Sequence, residues 1–221
     1  DRAGVFEALQ AHLDGKTPIY ETEHRLRSKS GDWIWVLDRG CVTERDREGR
    51  PLRVCGMLLD ITAKKLAEEM TKIQLRLIEF AAEHGLEEVL KRALDEISAF
   101  VQSPIAFFDF VAPDQKTASL QQWSASTIES FCGVEGEVLH YSIERAGVWA
   151  DCVQAKEPVI HKHYHALPHK KGLPEGHPEL IRALLVPVLR KGSVVAVLGV
   201  GNKPGFYTEA DARRVSYLAD A

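Results

Sequence analysis

From Asp60 to Phe80 the chain reads DITAKKLAEEMTKIQLRLIEF, and Ala63, Leu66, Met70, Ile73, Leu77 and Phe80 fall three and four apart with charged or polar residues between them. That alternation predicts a helix with a narrow a/d seam. A lone helix cannot bury such a stripe, so it needs a partner. One partner is the same helix from a second copy, in parallel, which gives a homodimer through Leu66, Met70, Ile73 and Leu77. The alternative is an ordinary amphipathic helix lying on one of the chain's own domains, since the run is under three heptads. Either way the helix divides the chain into an earlier and a later part, both rich in strand patterns.

Composition bounds what those parts do. With 221 residues and 45% hydrophobic content the chain can build one or two real cores. Its 28 basic and 32 acidic residues give a net charge of −4, spread without a basic face, which argues against nucleic acid or an anionic membrane surface as partner. The apolar run near Val194 to Gly201 is far short of the roughly 20 residues a spanning helix needs. No signal peptide opens the chain, so the expected location is the cytoplasm, with any membrane anchor outside this segment. Cys41, Cys55, Cys132 and Cys152 show no CxxC spacing and suit a reducing compartment.

Before the seam, Val5, Phe6, Leu9 and Leu13 predict a short helix. Three strands follow. Tyr20 to Ser28 alternates in character, Ser30-Gly31-Asp32 supplies a turn, and Trp33 to Arg45 is the second strand with Trp33 and Trp35 on one face. Asp46 to Pro51, which contains Gly49, turns the chain into a third strand, Leu52 to Ile61. Three antiparallel strands need a covering layer to be stable. Asp60 or Thr62 can then cap the following helix by accepting its free N–H groups.

The run EHRLRSKSGDWIWVLDRG, the DREGRP turn and the closing VCGMLLDIT together resemble the C-terminal half of a PAS domain, the segment called PAC, over residues 21 to 62. In that family the Asp-Ile-Thr triplet joins the last strand to a signalling helix, the position held by Asp60 to Thr62. The resemblance implies a first PAS half that supplies much of the cofactor pocket and is missing from this segment. No PAS ligand is therefore expected from these residues.

After the seam, Gly85 breaks the helix, and Leu86, Val89, Leu90, Ala93, Leu94, Ile97 and Val101 form a second apolar stripe. Ile105 to Val111 and Ala118 to Ser124 read as a hairpin around Pro113-Asp114. Val138 to Ile143 is predicted as strand, Glu144 to Ala155 as helix, and Pro158 to Tyr164 as strand with Val159, His161 and His163 on one face. Arg182 to Leu189 and Ser193 to Val200 are apolar on both faces, so they belong in the middle of a sheet, turning at Arg190-Lys191-Gly192. Thr208 is placed to cap a closing helix.

This order, with AGVWADCVQAKEPVIHKHY, the loop LPHKKGLPEGHPE, the strand ALLVPVL and the end VVAVLGVGNKPGFYTEAD, resembles a GAF domain over residues 85 to 221. It is similar to GAF domains found beside PAS domains in bacterial sensor histidine kinases and cyclic-di-GMP enzymes. Two departures stand out. Lys162-His163-Tyr164 replaces the subgroup's Asn-Asp-Tyr. The cyclic-nucleotide motif survives only as Asn202-Lys203, Phe206 and Asp211-Ala212, which argues against a cyclic nucleotide; a Lys–Asp contact in that motif often serves structure.

The expected fold is α+β, antiparallel sheets flanked by helices: residues 1–62 as PAC, 63–84 as linker helix and 85–221 as GAF domain. The expected function is a sensory and regulatory segment without enzyme activity of its own. It binds a small molecule of unknown identity and relays the change to an effector outside the segment, a histidine kinase or diguanylate cyclase. By family resemblance the ligand lies between sheet and cover, which selects Trp149, His161, His163, Tyr164 and His177 as contacts, with Gly172, Pro174 and Gly176 letting the cover move. A ligand-free dimerisation module is the alternative. Two further readings carry less. His161, His163, His165, His169 and His177 with Cys152 could draw a metal or haem, yet no zinc spacing is present. Cys132 and Cys152 could reduce methionine sulfoxide, yet neither has a base at motif spacing. No Ser-His-Asp order, phosphate loop, kinase or cyclase signature appears.

Overall fold

A computed structural model describes residues 1–29, 31, 33–130, 140–142, 147–168 and 179–220. The alternating pattern of the first seventy residues becomes helix α1 (Arg2–Leu13) and strands β1 (Tyr20–Arg27), β2 (Trp33–Arg45) and β3 (Pro51–Asp60), in an antiparallel sheet of order β1-β2-β3. Helix α1 packs on β1 and β2. Its His12 is buried between them, with Nδ1 against Thr17 O at 2.9 Å and Nε2 accepting the Val42 N–H at 3.0 Å. Because Nε2 accepts, the neutral ring carries its proton on Nδ1 and donates it to Thr17. Val42 opens an irregularity in β2, where the register shifts before Glu44.

The chain divides into two units, residues 1–71 and 72–221, and helix α2 (Thr62–Ala81) contributes to both. In the first unit the Asp-Ile-Thr triplet does three separate jobs. Asp60 Oδ1 accepts the Thr62 N–H at 2.8 Å, Ile61 is buried, and Thr62 Oγ1 accepts the Trp35 N–H at 3.0 Å. Lys65, one turn on, pairs with Glu23 and lies 5.3 Å from the Trp35 ring centroid. The start of α2 is thus tied to the sheet.

In the second unit the same helix supplies Ile73 and Leu77 to a core shared with Leu94, Ile97 and Val101 of α3 (Leu86–Val101). A homodimer through Leu66, Met70, Ile73 and Leu77 needs all four side chains free on a single copy, and two of them are already covered. Ile73 is 2% and Leu77 8% exposed, covered by their own unit, while Leu66 and Met70 are half-buried. Arg76 reinforces the contact through a two-point bond to Glu96, which also holds Arg92.

Strands β4 (Ile105–Val111), β5 (Thr117–Trp123), β6 (His140–Ser142), β7 (Val159–His161), β8 (Ala183–Arg190) and β9 (Ser193–Gly201) form one antiparallel sheet of order β6-β5-β4-β9-β8-β7. The doubly apolar strands β8 and β9 do lie inside it, turning through Lys191 and Gly192, both at positive φ. Alternate residues serve opposite faces. Ala106, Leu184, Val186, Leu198 and Val200 meet α2, α3 and α6 (Glu209–Ala219); Phe107, Val111, Leu185 and Val197 meet Ala150 and the short α5 (Asp151–Ala155). A short α4 (Ala125–Ser130) after β5 was not expected. The predicted helix 144–155 is, over its described residues, a 3-10 turn Gly147–Ala150 running into α5. Among the described residues no helix is long and apolar enough to cross a membrane.

Candidate functional site

The second face of the large sheet carries the polar groups. Across four strands His161 of β7 faces Ala183 of β8, which faces Gly201 of β9, which faces Ile105 of β4, so these residues share that face. His161 is buried, and its Nε2 lies 3.0 Å from Asp151 Oδ2 at the start of α5, an ion pair when the imidazole holds its proton. The next residue, Cys152, is fully buried. Burial, then the nearby Asp151 and Asp109 carboxylates, pushes its thiol up to about 12. Asp109 itself is 2% exposed on the middle strand β4. Around these groups Phe107, Ala150, Val153, Leu185 and Val197 make an apolar wall. The Phe107 ring lies directly over Gly199, where any Cβ would collide with it.

Of the five expected contacts, the structure brings two together. His161 and Tyr164 share this face; Tyr164 is buried among Ile105, Val148, Leu180 and Ala183, and burial raises its phenol pKa. His163 does not join them. The strand ends at His161, Tyr164 starts a 3-10 turn anchored by its N–H to Ile181 O, and His163 is exposed with its ring edge-on to Phe206 at 5.5 Å. The alternation expected through Tyr164 fails because pairing with β8 stops at Ala183. Trp149 lies in the 3-10 turn Gly147–Ala150. His177, with His169, Gly172, Pro174, Gly176 and Cys132, lies outside the described residues.

Asp109, Asp151 and Phe107 were not singled out from sequence. The signal was present for one of them. In IAFFDFV the residues 105, 107, 109 and 111 point one way, so Asp109 is a carboxylate at an inward position of a buried strand.

The partial cyclic-nucleotide motif is structural. Asn202, at φ 60, donates to Glu179 O and accepts from Ile181 N–H, both at 2.8 Å, clipping the end of β9 to the segment before β8. Lys203 Nζ binds both Asp211 oxygens at 2.8 Å, and Thr208 and Asp211 form the reciprocal cap of α6. Burial would raise the Asp211 pKa, but Lys203 and the Thr208 bonds outweigh it and hold the carboxyl below its ordinary value.

The signature of the GAF domain matches residues 83–221, and that of the PAS fold residues 1–58. A curated relative, the methyl sulfide methyltransferase-associated sensor of Methanosarcina acetivorans, is 32% identical over 166 residues, covering 72% of this chain; the chain spans 16% of that protein's length. Among solved structures, the GAF domain of a phosphoenolpyruvate-protein phosphotransferase from Coxiella burnetii superposes with a TM-score of 0.59 at 16% identity, over 71% of this chain and 89% of that one. A free methionine-R-sulfoxide reductase from Neisseria meningitidis, in complex with its substrate, gives 0.53 at 15% identity, over 70% and 83%. At those identities the likeness establishes the fold.

Proposed function

The chain belongs to the GAF domain family, with a PAS fold ahead of the GAF domain, and on that premise we propose that it is a sensory segment of a signalling protein that binds a small molecule on the second face of the GAF sheet. The observation that carries this is the burial of Asp109 and His161, with Asp151 against the imidazole, on an otherwise apolar face under α5. Buried ionisable groups are costly in a core and are kept where recognition needs them. The chemistry suits a small polar or aromatic molecule, held by the carboxylates and the imidazole and packed on Phe107 and Leu185.

The relay runs through α2, which belongs to both units, to an effector outside this segment, a histidine kinase or diguanylate cyclase. In the assembled protein two copies associate in parallel through Leu66 and Met70 of this helix, in a cytoplasmic setting. A thiol-reductase role fits less well, because a fully buried Cys152 with its thiol pushed up to about 12 is a poor nucleophile. Thermal-shift screening of a metabolite panel tests the binding reading. At least one compound should raise the melting temperature of the wild type in a saturable way and leave His161→Ala unmoved. Equal shifts in both proteins would place binding elsewhere.

A further inference from the structure

In the first unit the register of β2 and β3 sets Cys41 directly opposite Cys55. Directly opposed residues in an antiparallel pair point to the same face with Cα atoms about 4.5 to 5.5 Å apart. That range falls inside the roughly 4.4 to 6.8 Å window of disulfides. The sulfur of Cys55 already leans over β2, since Thr43 Oγ1, two residues beyond Cys41 on the same face, approaches it at 3.8 Å. Beside the cysteines Gly40 faces Gly56, and here the backbones come unusually close. A Cβ on Gly56 would lie 2.7 Å from Arg39 O, and one on Gly40 would lie 2.9 Å from Cys55 O. Only glycines admit that approach. Neither thiol is buried: Cys55 is exposed and Cys41 half-buried, whereas Cys152 is fully buried.

We propose that Cys41 and Cys55 are a redox-modification site that a peroxide converts into a reversible cross-strand disulfide. Cys55, the more exposed thiol, attacks the peroxide; the O–O bond breaks, one oxygen stays on sulfur as a sulfenic acid and the other leaves as water. The Cys41 sulfur then displaces that hydroxyl as a second water. The balance is two thiols and one hydrogen peroxide to one disulfide and two waters, with two electrons passing from sulfur to the peroxide. A thiol reductant reverses it by exchange. Disulfides of this transient, accessible type are the kind found in reducing compartments.

The location gives the bond a consequence. Strand β3 continues through Asp60 into α2, and β2 supplies Trp35, whose N–H and C=O hold Thr62 and Ile61. A covalent tie between Cys41 and Cys55 fixes the register of the two strands that carry the helix start. It does so without reference to any ligand in the second unit.

Peptide mapping decides the matter. The 221-residue chain is titrated with hydrogen peroxide, the remaining thiols are blocked with N-ethylmaleimide, and the protein is digested with trypsin without reduction. Cleavage at Arg39, Arg45, Arg53 and Lys64 releases peptides 40–45 and 54–64. The expected result is these two joined, lighter by two hydrogens than their sum and separated again by dithiothreitol. In Cys41→Ser the joined species should vanish, and Cys55 should accumulate as a sulfenic acid trapped by dimedone. Amide exchange in β2 and β3 should slow on oxidation of the wild type. Joined peptides that contain Cys132, a Cys55–Cys55 link between two copies, or direct passage of Cys55 to the sulfinic acid would each overturn the proposal.

Discussion

Asp211 binds Lys203 and caps α6 while only 1% exposed, so its charge is integral to the second unit. Its folded-state pKa is depressed below the ordinary 3.8, which means the unfolded chain takes up the proton more readily. The stability it contributes is complete above that ordinary value and is lost as pH falls through the depressed one. Urea titrations across acidic pH should therefore show the wild type weakening below about pH 4. Asp211→Asn, which strands the Lys203 ammonium, should cost about 3 kcal/mol near neutrality and flatten that acid limb. Gly199→Ala should lower stability by about 1 to 3 kcal/mol, because its Cβ drives into Phe107; an unchanged melting temperature would show that the ring moves freely. Iodoacetamide under native conditions should label Cys55 at least about ten times faster than Cys152. Among single residues, the Lys203–Asp211 contact was anticipated only through the family resemblance, while Thr208 was legible from the residues as the cap of α6. His163 was not, since alternation says nothing about where strand pairing stops.

Helix α2 shows what periodicity can and cannot resolve. The residues predict a helix here with Asp60 or Thr62 at its start; the helix runs Thr62–Ala81, and of the two it is Asp60 that accepts a first-turn N–H. Over about five turns, however, a stripe aimed at a second copy looks the same as one aimed at a neighbouring helix of the same chain. Ile73 and Leu77 face α3, and the pattern alone could not choose between the two covers. The consequence is a sharp difference between positions along one helix. Ile73→Asp should unfold or destabilise the second unit by at least about 3 kcal/mol, read by loss of its cooperative transition. Met70→Asp should leave folding within about 1 kcal/mol and, on the homodimer reading, shift sedimentation toward the monomer. A monomeric wild type at tens of micromolar would remove that reading while leaving the fold untouched. The short helix α4 escaped the sequence for a related reason, since six residues are too few to establish a period, whereas β7 was read as strand but carried three residues too far.

For the molecule as a whole, the α+β plan with antiparallel sheets was legible because strongly apolar strands such as β8 and β9 can lie only inside a sheet. The buried polar face was less so, since Asp109 comes near Cys152, and Asp151 near His161, only after the strands and α5 are assembled. Under the proposed function this face receives a small molecule. Native mass spectrometry after incubation with a small-molecule extract, on the wild type and on His161→Ala, addresses it directly. One saturable adduct per chain is expected in the wild type and none in the variant. No adduct at any extract concentration, or the same adduct on both proteins, would contradict it.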